Sequence, residues 1–147
     1  DRPESSDNTN LTIALTVEQM NEAVFSVVQC INPENAQFFR HAGVDSVVCV
    51  NSLTSQMMIQ ELQDPGIHSV VTELTSNAQG KQFYIVDMPS DAQTVSNARD
   101  YFQMNHSALL IGIYRSGQYI LAPDPSLATD REDRVVLISS HRPKARG

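Results

Sequence analysis

Helix-type segments alternate with short runs of branched and aromatic residues over positions 1–50, and this alternation constrains the fold more than any other feature. The run at 24–31 is predicted to be a buried strand, and the run at 45–50 is the next strand. A short helix over 34–41, closed by Gly43, lies between them. Strands joined by helices through short connections form a parallel sheet with right-handed crossovers. The sequence therefore predicts an α/β fold.

A further helix precedes the first predicted strand. Asp7 or Asn8 is its predicted N-cap, and the apolar residues Leu11 and Ala14 follow at helical spacing. No strand comes before this helix in the sequence, so the alternation of strands and helices starts with a helix. We expect Asp1 to be the last residue of a strand whose body lies upstream.

Two helix-type segments follow, over 51–62 and 67–76, separated by an Asp-Pro-Gly turn at 64–66. Each has apolar residues that need a surface to pack on. That surface is either the core of the same chain or the seam of a dimer, for which the adaptable side chains of Met57 and Met58 are well suited. The candidate dimer-interface residues are Leu53, Met57, Met58, Leu62, Ile67, Val70, Val71 and Leu74.

The pattern changes after a linker-like stretch at 77–80. The elements predicted for this part are a strand, a helix, a hairpin with a two-residue turn, and a final strand, at 81–88, 94–104, 108–122 and 134–139. The helix places Val95, Ala98 and Phe102 inward. This order of elements predicts a small α+β lobe that is separate from the parallel-sheet part.

Composition excludes several classes of protein. The net charge is −7, and the few basic residues are scattered apart from the tail at 141–146, which argues against a nucleic-acid partner. No apolar run approaches the roughly 18 residues of a membrane span, and the N-terminus lacks the pattern of a signal peptide. Cys30 and Cys49 lie in apolar runs, where the expected role is that of reduced core residues in an intracellular chain.

No constellation of residues predicts catalysis. The six glycines form neither a dinucleotide loop nor a P-loop, so a complete nucleotide site is not expected. The four histidines have no metal-ligand spacing, and no serine or cysteine has the context of a nucleophile. The carboxylates at 124, 130, 132 and 133 are expected to be solvated. The sequence predicts that the chain is not an enzyme and has no assured metal site.

Several segments together resemble the RCK family, the regulators of potassium conductance that include Trk- and Ktr-type subunits. Asn-Pro-Glu-Asn at 32–35, followed by 39–48, looks like the late Rossmann segment of that family, and 83–87, 108–115 and 119–124 look like its C-terminal lobe. The resemblance covers essentially the whole chain. It implies the end of a Rossmann-like parallel sheet, then crossover helices for dimerisation, then an RCK C-terminal-type regulatory lobe, at 1–51, 52–78 and 79–147.

The resemblance also implies a function. An RCK segment would be a ligand-sensing gating-ring module of a potassium channel or potassium uptake system, cytoplasmic and attached to the inner face of the cell membrane through a pore region. Its crossover helices would lock a homodimer, and dimers would assemble into a larger ring. Some relatives bind small effectors at a dimer seam of the small lobe, which makes Arg115, Tyr119 and Pro123 candidate effector contacts.

The sequence departs from the family at a known ion site. Calcium-gated archaeal relatives carry acidic ligands on the strand that matches 25–31, where this chain has Gln29 and Ile31. An amide and an aliphatic side chain cannot replace two carboxylates around Ca²⁺. Asp1 is then the one candidate ligand left, and we predict that this calcium site is missing.

Two other functions fit the same elements. The chain would be a fragment of an NAD-linked Rossmann enzyme if a glycine-rich cofactor loop lies upstream. It would be the regulatory lobe of a cation antiporter if it follows a membrane part with many spans. A pair of pore helices with a potassium selectivity filter upstream would favour the channel instead.

Overall fold

A computed structural model describes residues 3–21, 23–76 and 80–144, which fall in two compact units, Asp1–His68 and Ser69–Gly147. The elements of the first unit are α1 (Pro3–Met20), β1 (Val27–Cys30), α2 (Ala36–His41), β2 (Ser46–Cys49) and α3 (Val50–Gln63). Helix α4 (Ile67–Thr75) begins at the end of this unit and continues into the second. The second unit also contains β3 (Gln82–Asp87), α5 (Val95–His106), β4 (Leu109–Arg115), β5 (Gln118–Leu121) and β6 (Arg134–Ser139). The predicted division at 1–51, 52–78 and 79–147 stays a prediction.

Strands β1 and β2 pair in parallel, with Cys30 opposite Cys49. Helices α1 and α2 pack on the sheet through one small cluster of buried residues: Ala14, Cys30, Phe39 and Val44. A short 3₁₀ turn at Pro33–Asn35 leads into α2, and the side-chain oxygen of Asn32 accepts a hydrogen bond from the N–H of Glu34 at its start. The parallel sheet predicted from the alternation of strands and helices is confirmed.

The predicted start of the first helix is wrong. Helix α1 begins at Pro3, so Asp7 lies inside it and is not its N-cap. The side chain of Asp7 is buried and points away from the helix backbone, toward the residues that follow β1. A capping residue and an interior residue of the same type look alike in sequence, because Asp is common at both N-caps and the first turns of helices.

The prediction that residues 24–31 form a buried strand is correct for the strand and wrong for its burial. Phe25 is 73% exposed and Val27 is 61% exposed, whereas Cys30 is fully buried. Within the part of the chain that the structure describes, β1 pairs with β2 alone, and both helices of the core cluster lie on one side of the sheet. Side chains that alternate to the other side therefore stay uncovered.

The second unit has the larger core. Its four strands form an antiparallel sheet in the order β3-β6-β4-β5, and α5 covers one face of it. Val95, Ala98 and Phe102 of α5 are fully buried, as predicted. The N-terminus of α5 has a capping box, in which Thr94 and Asn97 each bond the other's backbone N–H. Ser116 and Gly117 both have positive φ, the backbone of the tight hairpin turn that the sequence predicted.

The predicted fold class is thus confirmed: a parallel α/β part is followed by helices and a small α+β lobe. Among the residues that the structure describes, no helix has both the length and the apolar character needed to cross a membrane.

Candidate functional site

Helix α3 exposes most of its apolar side chains. Leu53 is 54%, Met58 64% and Leu62 84% exposed, and Met57 is half-buried. None of the residues of α3 is buried, and none belongs to either core cluster. Burying a Leu or Met side chain stabilises a folded state by about 1.5–3 kcal/mol relative to leaving it in water. Several uncovered apolar side chains on one helix are the kind of surface that marks an interaction site.

The apolar side chains of α3 do not share a single face. Leu53 and Leu62 are nine residues apart, which turns an α-helix by about two and a half revolutions and puts them on opposite sides. Met57 lies on the side of Leu53, and Met58 on the side of Leu62. The amphipathic helix predicted here is therefore apolar on two sides, and a single flat partner surface would cover only one of them.

Helix α4 has the opposite character. Its residues Ile67, Val70, Val71 and Leu74 recur at the spacing that places them on one side of a helix. Val70 is 55% exposed and the other three are half-buried. No residue of α4 is fully buried. Its apolar stripe is thus well defined by sequence and only partly covered.

The turn between α3 and α4 is tied together by one side chain. The two carboxylate oxygens of Glu61 accept hydrogen bonds from the N–H groups of Gly66, at 2.9 Å, and His68, at 2.8 Å. These bonds satisfy donors at the start of α4, which has no earlier turn to supply acceptors. They also hold the pKa of Glu61 below its ordinary value. Gly66 has φ +107°, a conformation that other residues rarely adopt.

Sequence reasoning missed Ile59, which is 55% exposed on the same side of α3 as Leu62. Its spacing of three residues from Leu62 was the available signal. The same reasoning missed the position of Asp7, and no local signal could have placed it. Its hydrogen-bond partners lie 23 or more residues away in the chain.

The carboxylate of Asp7 connects α1 to the segment after β1. It accepts hydrogen bonds from the backbone N–H of Ile31 at 2.8 Å and of Asn32 at 3.0 Å, and from the side-chain amide of Asn35 at 2.8 Å. The Cys30 thiol lies 3.8 Å from the same carboxylate. Burial raises the pKa of Asp7, but these hydrogen bonds outweigh burial, and the pKa falls below its ordinary value.

Arg115, a predicted effector contact, is bound to another residue of the chain. Its guanidinium donates to both carboxylate oxygens of Asp133, at 2.8 and 2.6 Å, and to the carbonyl of Ala128 at 2.8 Å. The Asp133 side chain is almost fully buried, and that of Arg115 is 31% exposed. The hydrogen bonds from Arg115 hold the pKa of Asp133 below its ordinary value, and the same pair raises the pKa of Arg115.

The three predicted effector contacts do not meet in one place. Arg115 pairs with Gln118 across the hairpin and Tyr114 pairs with Tyr119, so the side chains of Arg115 and Tyr119 lie on opposite faces of the sheet. Tyr119 is 57% exposed, and its ring centroid is 4.8 Å from that of Tyr114. Pro123 is buried. An effector contact at these residues stays a prediction.

The positions of the calcium site that was predicted to be missing are occupied by Gln29 and Ile31, with Asp1 as the one candidate ligand. Gln29 is exposed, Ile31 is half-buried, and Asp1 lies outside the described residues. Over residues 3–21, 23–76 and 80–144, no three His, Cys, Asp or Glu side chains are grouped so that they could hold a metal ion. Burial raises the pKa of the Cys30 thiol to about 12, which leaves it protonated and unreactive. Asp133, one of four carboxylates predicted to be solvated, is instead buried.

Comparison with known proteins gives a fold and no close relative. No family model matches the chain, and no curated protein matches it. A structure of the human SLO3 gating ring is similar over 96% of this chain, with a TM-score of 0.72 and 15% sequence identity. The chain spans about 30% of the length of that gating-ring chain.

Two structures with the name GsuK align less well. The GsuK channel bound to NAD is 18% identical over 91% of this chain and 24% of its own, with a TM-score of 0.41. The GsuK RCK domain is 17% identical over 91% of this chain and 28% of its own, with a TM-score of 0.39. Scores at this level do not support a shared fold. The alignment to the SLO3 gating ring does, and the chain has the RCK-like fold predicted from its sequence.

Proposed function

We propose that this chain is a regulatory segment of a gating ring, and that it controls a potassium channel or a potassium uptake system by assembling with further copies of itself. The RCK-like fold supports a regulatory role, since the similar structure over nearly the whole chain is a gating ring. The observation that carries the proposal is the uncovered apolar surface of α3. The segment would work at the cytoplasmic face of a membrane, next to a pore or transporter subunit.

The proposal gives α3 and α4 different roles in assembly. Helix α4 has one apolar side, which a single partner helix can cover. Helix α3 has two, so it would be enclosed only if it passed between surfaces, as a helix that crosses from one protomer to another does. Ligand binding would then act by population shift: a ligand that binds one arrangement of the protomers better than another favours that arrangement.

The test is the oligomeric state of the chain, measured by analytical ultracentrifugation over a range of concentrations. Leu62→Asp places a charge at the most exposed of the predicted interface residues and should weaken self-association roughly thirtyfold, the size of an interface hot spot. Gln63→Asp adds the same charge at the next exposed position of α3 and is the matched control. A chain that stays monomeric at all concentrations, or a dimer that Leu62→Asp leaves intact, would contradict the proposal.

The proposed partners are tested separately from self-association. In the complete protein, a potassium flux assay should show loss of regulated flux for Leu62→Asp, with the unregulated flux of the pore preserved. An NAD-linked enzyme would instead show cofactor turnover, and an antiporter would couple the chain to proton or sodium exchange. Either result would replace the potassium system in this proposal and would leave the self-association of α3 to be judged by ultracentrifugation.

A further inference from the structure

Three cationic side chains of the second unit gather at one open pocket of about 300 Å³. Its lining residues are Val86, Asp87, Arg134, Arg142, Pro143 and Lys144. Its described lining thus has three cations and one carboxylate, in a chain whose net charge is −7. A local excess of positive charge on an acidic protein raises the concentration of anions at that place.

The two arginines are held close to each other by one acceptor. Nη2 of Arg134 lies 3.3 Å and Nη2 of Arg142 lies 3.0 Å from the carbonyl oxygen of Ile85. The two nitrogen atoms can therefore be no further apart than the sum of these distances, which is within the Debye length of physiological salt, about 8 Å. Like charges at this separation repel each other, and an anion bound beside them would offset that repulsion.

The carboxylate of the pocket does not neutralise this charge. Within residues 80–144, Asp87 forms an ion pair with Arg134 alone, at 3.7 Å from Nε, and its side chain is 86% exposed. A pair that is so open to water contributes little. Each guanidinium also has five N–H donors, of which the carbonyl of Ile85 takes one from each. Planar donor forks of this kind match the oxygens of a phosphate group.

The segment that supplies two of the cations is attached to the rest of the unit. Pro143 is buried, and the Tyr101 hydroxyl donates to the carbonyl oxygen of Lys144 at 3.3 Å. The backbone that carries Arg142 and Lys144 is therefore placed before any ligand arrives, and less conformational entropy is lost on binding.

We propose that this pocket binds a small phosphate-bearing anion. Its volume is at the lower end of the range for small-molecule sites, which suits an inorganic diphosphate or a phosphorylated headgroup better than a dinucleotide. The site lies within the second unit and is independent of the assembly proposed for α3. A soluble phosphate compound and a phosphoinositide headgroup present the same chemistry, so the experiment separates the two sources.

Isothermal titration calorimetry of the whole chain with inorganic pyrophosphate is the first measurement. Arg142→Gln and Arg134→Gln should each weaken binding about tenfold, because each removes a charge-assisted donor. Asp87→Asn should tighten binding several-fold, since it removes the one negative charge of the pocket. This gain of affinity cannot result from a folding defect. Lys81→Gln, at the other end of β3, removes the same charge as the arginine variants and should leave the affinity unchanged.

Sedimentation with phosphatidylcholine vesicles, with and without a phosphoinositide, is the second measurement. If the chain binds both pyrophosphate and the phosphoinositide vesicles, the pocket accepts a phosphate group from a soluble compound or from a lipid. If it binds the phosphoinositide vesicles but not pyrophosphate, its ligand is a lipid headgroup. If Arg142→Gln fails to fold, Lys144→Gln tests the same pocket with the bond from Arg142 to Ile85 intact. Absence of binding in both assays, or equal losses for Lys81→Gln and the arginine variants, would overturn the proposal.

Discussion

Among the residues that the structure describes, each unit buries one aspartate, and the two units compensate its charge in different ways. Asp7 in the first unit and Asp133 in the second are both 2% exposed, and both have a pKa below the ordinary value. Asp7 is surrounded by neutral donors: two backbone N–H groups and the amide of Asn35. Asp133 is bound by the guanidinium of Arg115 and by the backbone N–H of Asp130.

The difference shows what each carboxylate does for its unit. The neutral donors of Asp7 all lie just after β1, so the carboxylate fixes how the chain leaves that strand and enters the 3₁₀ turn at Pro33–Asn35. The ion pair of Asp133 joins β4 to the residue before β6, two neighbouring strands of the sheet. A set of neutral donors depends on the precise backbone, whereas an ion pair depends on both charges being present.

The largest effect is expected where removal of one partner leaves a buried charge. Arg115→Leu should destabilise the second unit by about 3 kcal/mol, because Asp133 would then be ionised and buried without a cation. Arg131→Leu is the matched control at an exposed arginine of the same unit and should have little effect. Urea unfolding, followed by hydrogen exchange in β4 and β6, measures the difference. Equal effects of the two variants would show that the ion pair adds nothing.

A smaller effect is expected in the first unit. Asp7→Asn keeps the shape of the side chain but turns an N–H₂ group toward at least one of three donors, and it should cost about 2 kcal/mol. Hydrogen exchange at Ile31 and Asn32 should rise, while the second unit should be unaffected. Asp64→Asn, at an exposed acid of the same unit, is the control. Unchanged exchange at those two amides would contradict the role given to Asp7.

The smallest effect is expected from pH alone. Both aspartates have a folded-state pKa below that of an unfolded chain, so their ionised forms add stability above the ordinary pKa of about 3.9, and this stability is lost as the pH falls through the lower folded value. The contribution of these two groups to the free energy of unfolding should be nearly constant between pH 7 and 5. It should decrease as the pH is lowered below 4. Thermal unfolding at fixed ionic strength measures this loss of stability. In Arg115→Leu, the stability of the second unit should depend less on pH below pH 4. If stability instead increased as the pH was lowered from 7 to 5, and Asp7→Asn abolished that increase, the pKa of Asp7 would be raised by folding and not lowered.

Much of the fold was available from local patterns in the sequence. The alternation of strands and helices, the helix breakers at 64–66 and the two-residue hairpin turn depend on neighbouring residues, and the structure confirms each of them. Burial was harder to predict. Phe25 and Val27 are as apolar as Phe39, but they are exposed, because burial depends on which other elements reach that side of the sheet.

The candidate site shows the same limit. The apolar residues of α3 and α4 were identified from sequence, but their exposure was not, because a helix with apolar residues can pack on its own chain or on another. Arg115 and Asp133 are 18 residues apart in the sequence, and no spacing rule for helices or hairpins pairs residues at that separation. The effector role of Arg115 follows from the resemblance to RCK proteins alone, and the sequence does not indicate that Asp133 binds its guanidinium.

The carboxylate of Glu61 has a consequence for the time scale on which the turn at 64–66 opens. Gly66 and His68 are exposed, and exposed amides normally exchange their protons with water quickly. Both donate to Glu61, so their exchange requires this side chain to release them first. A rotamer change of one carboxylate therefore limits how fast the amide protons of Gly66 and His68 exchange with water.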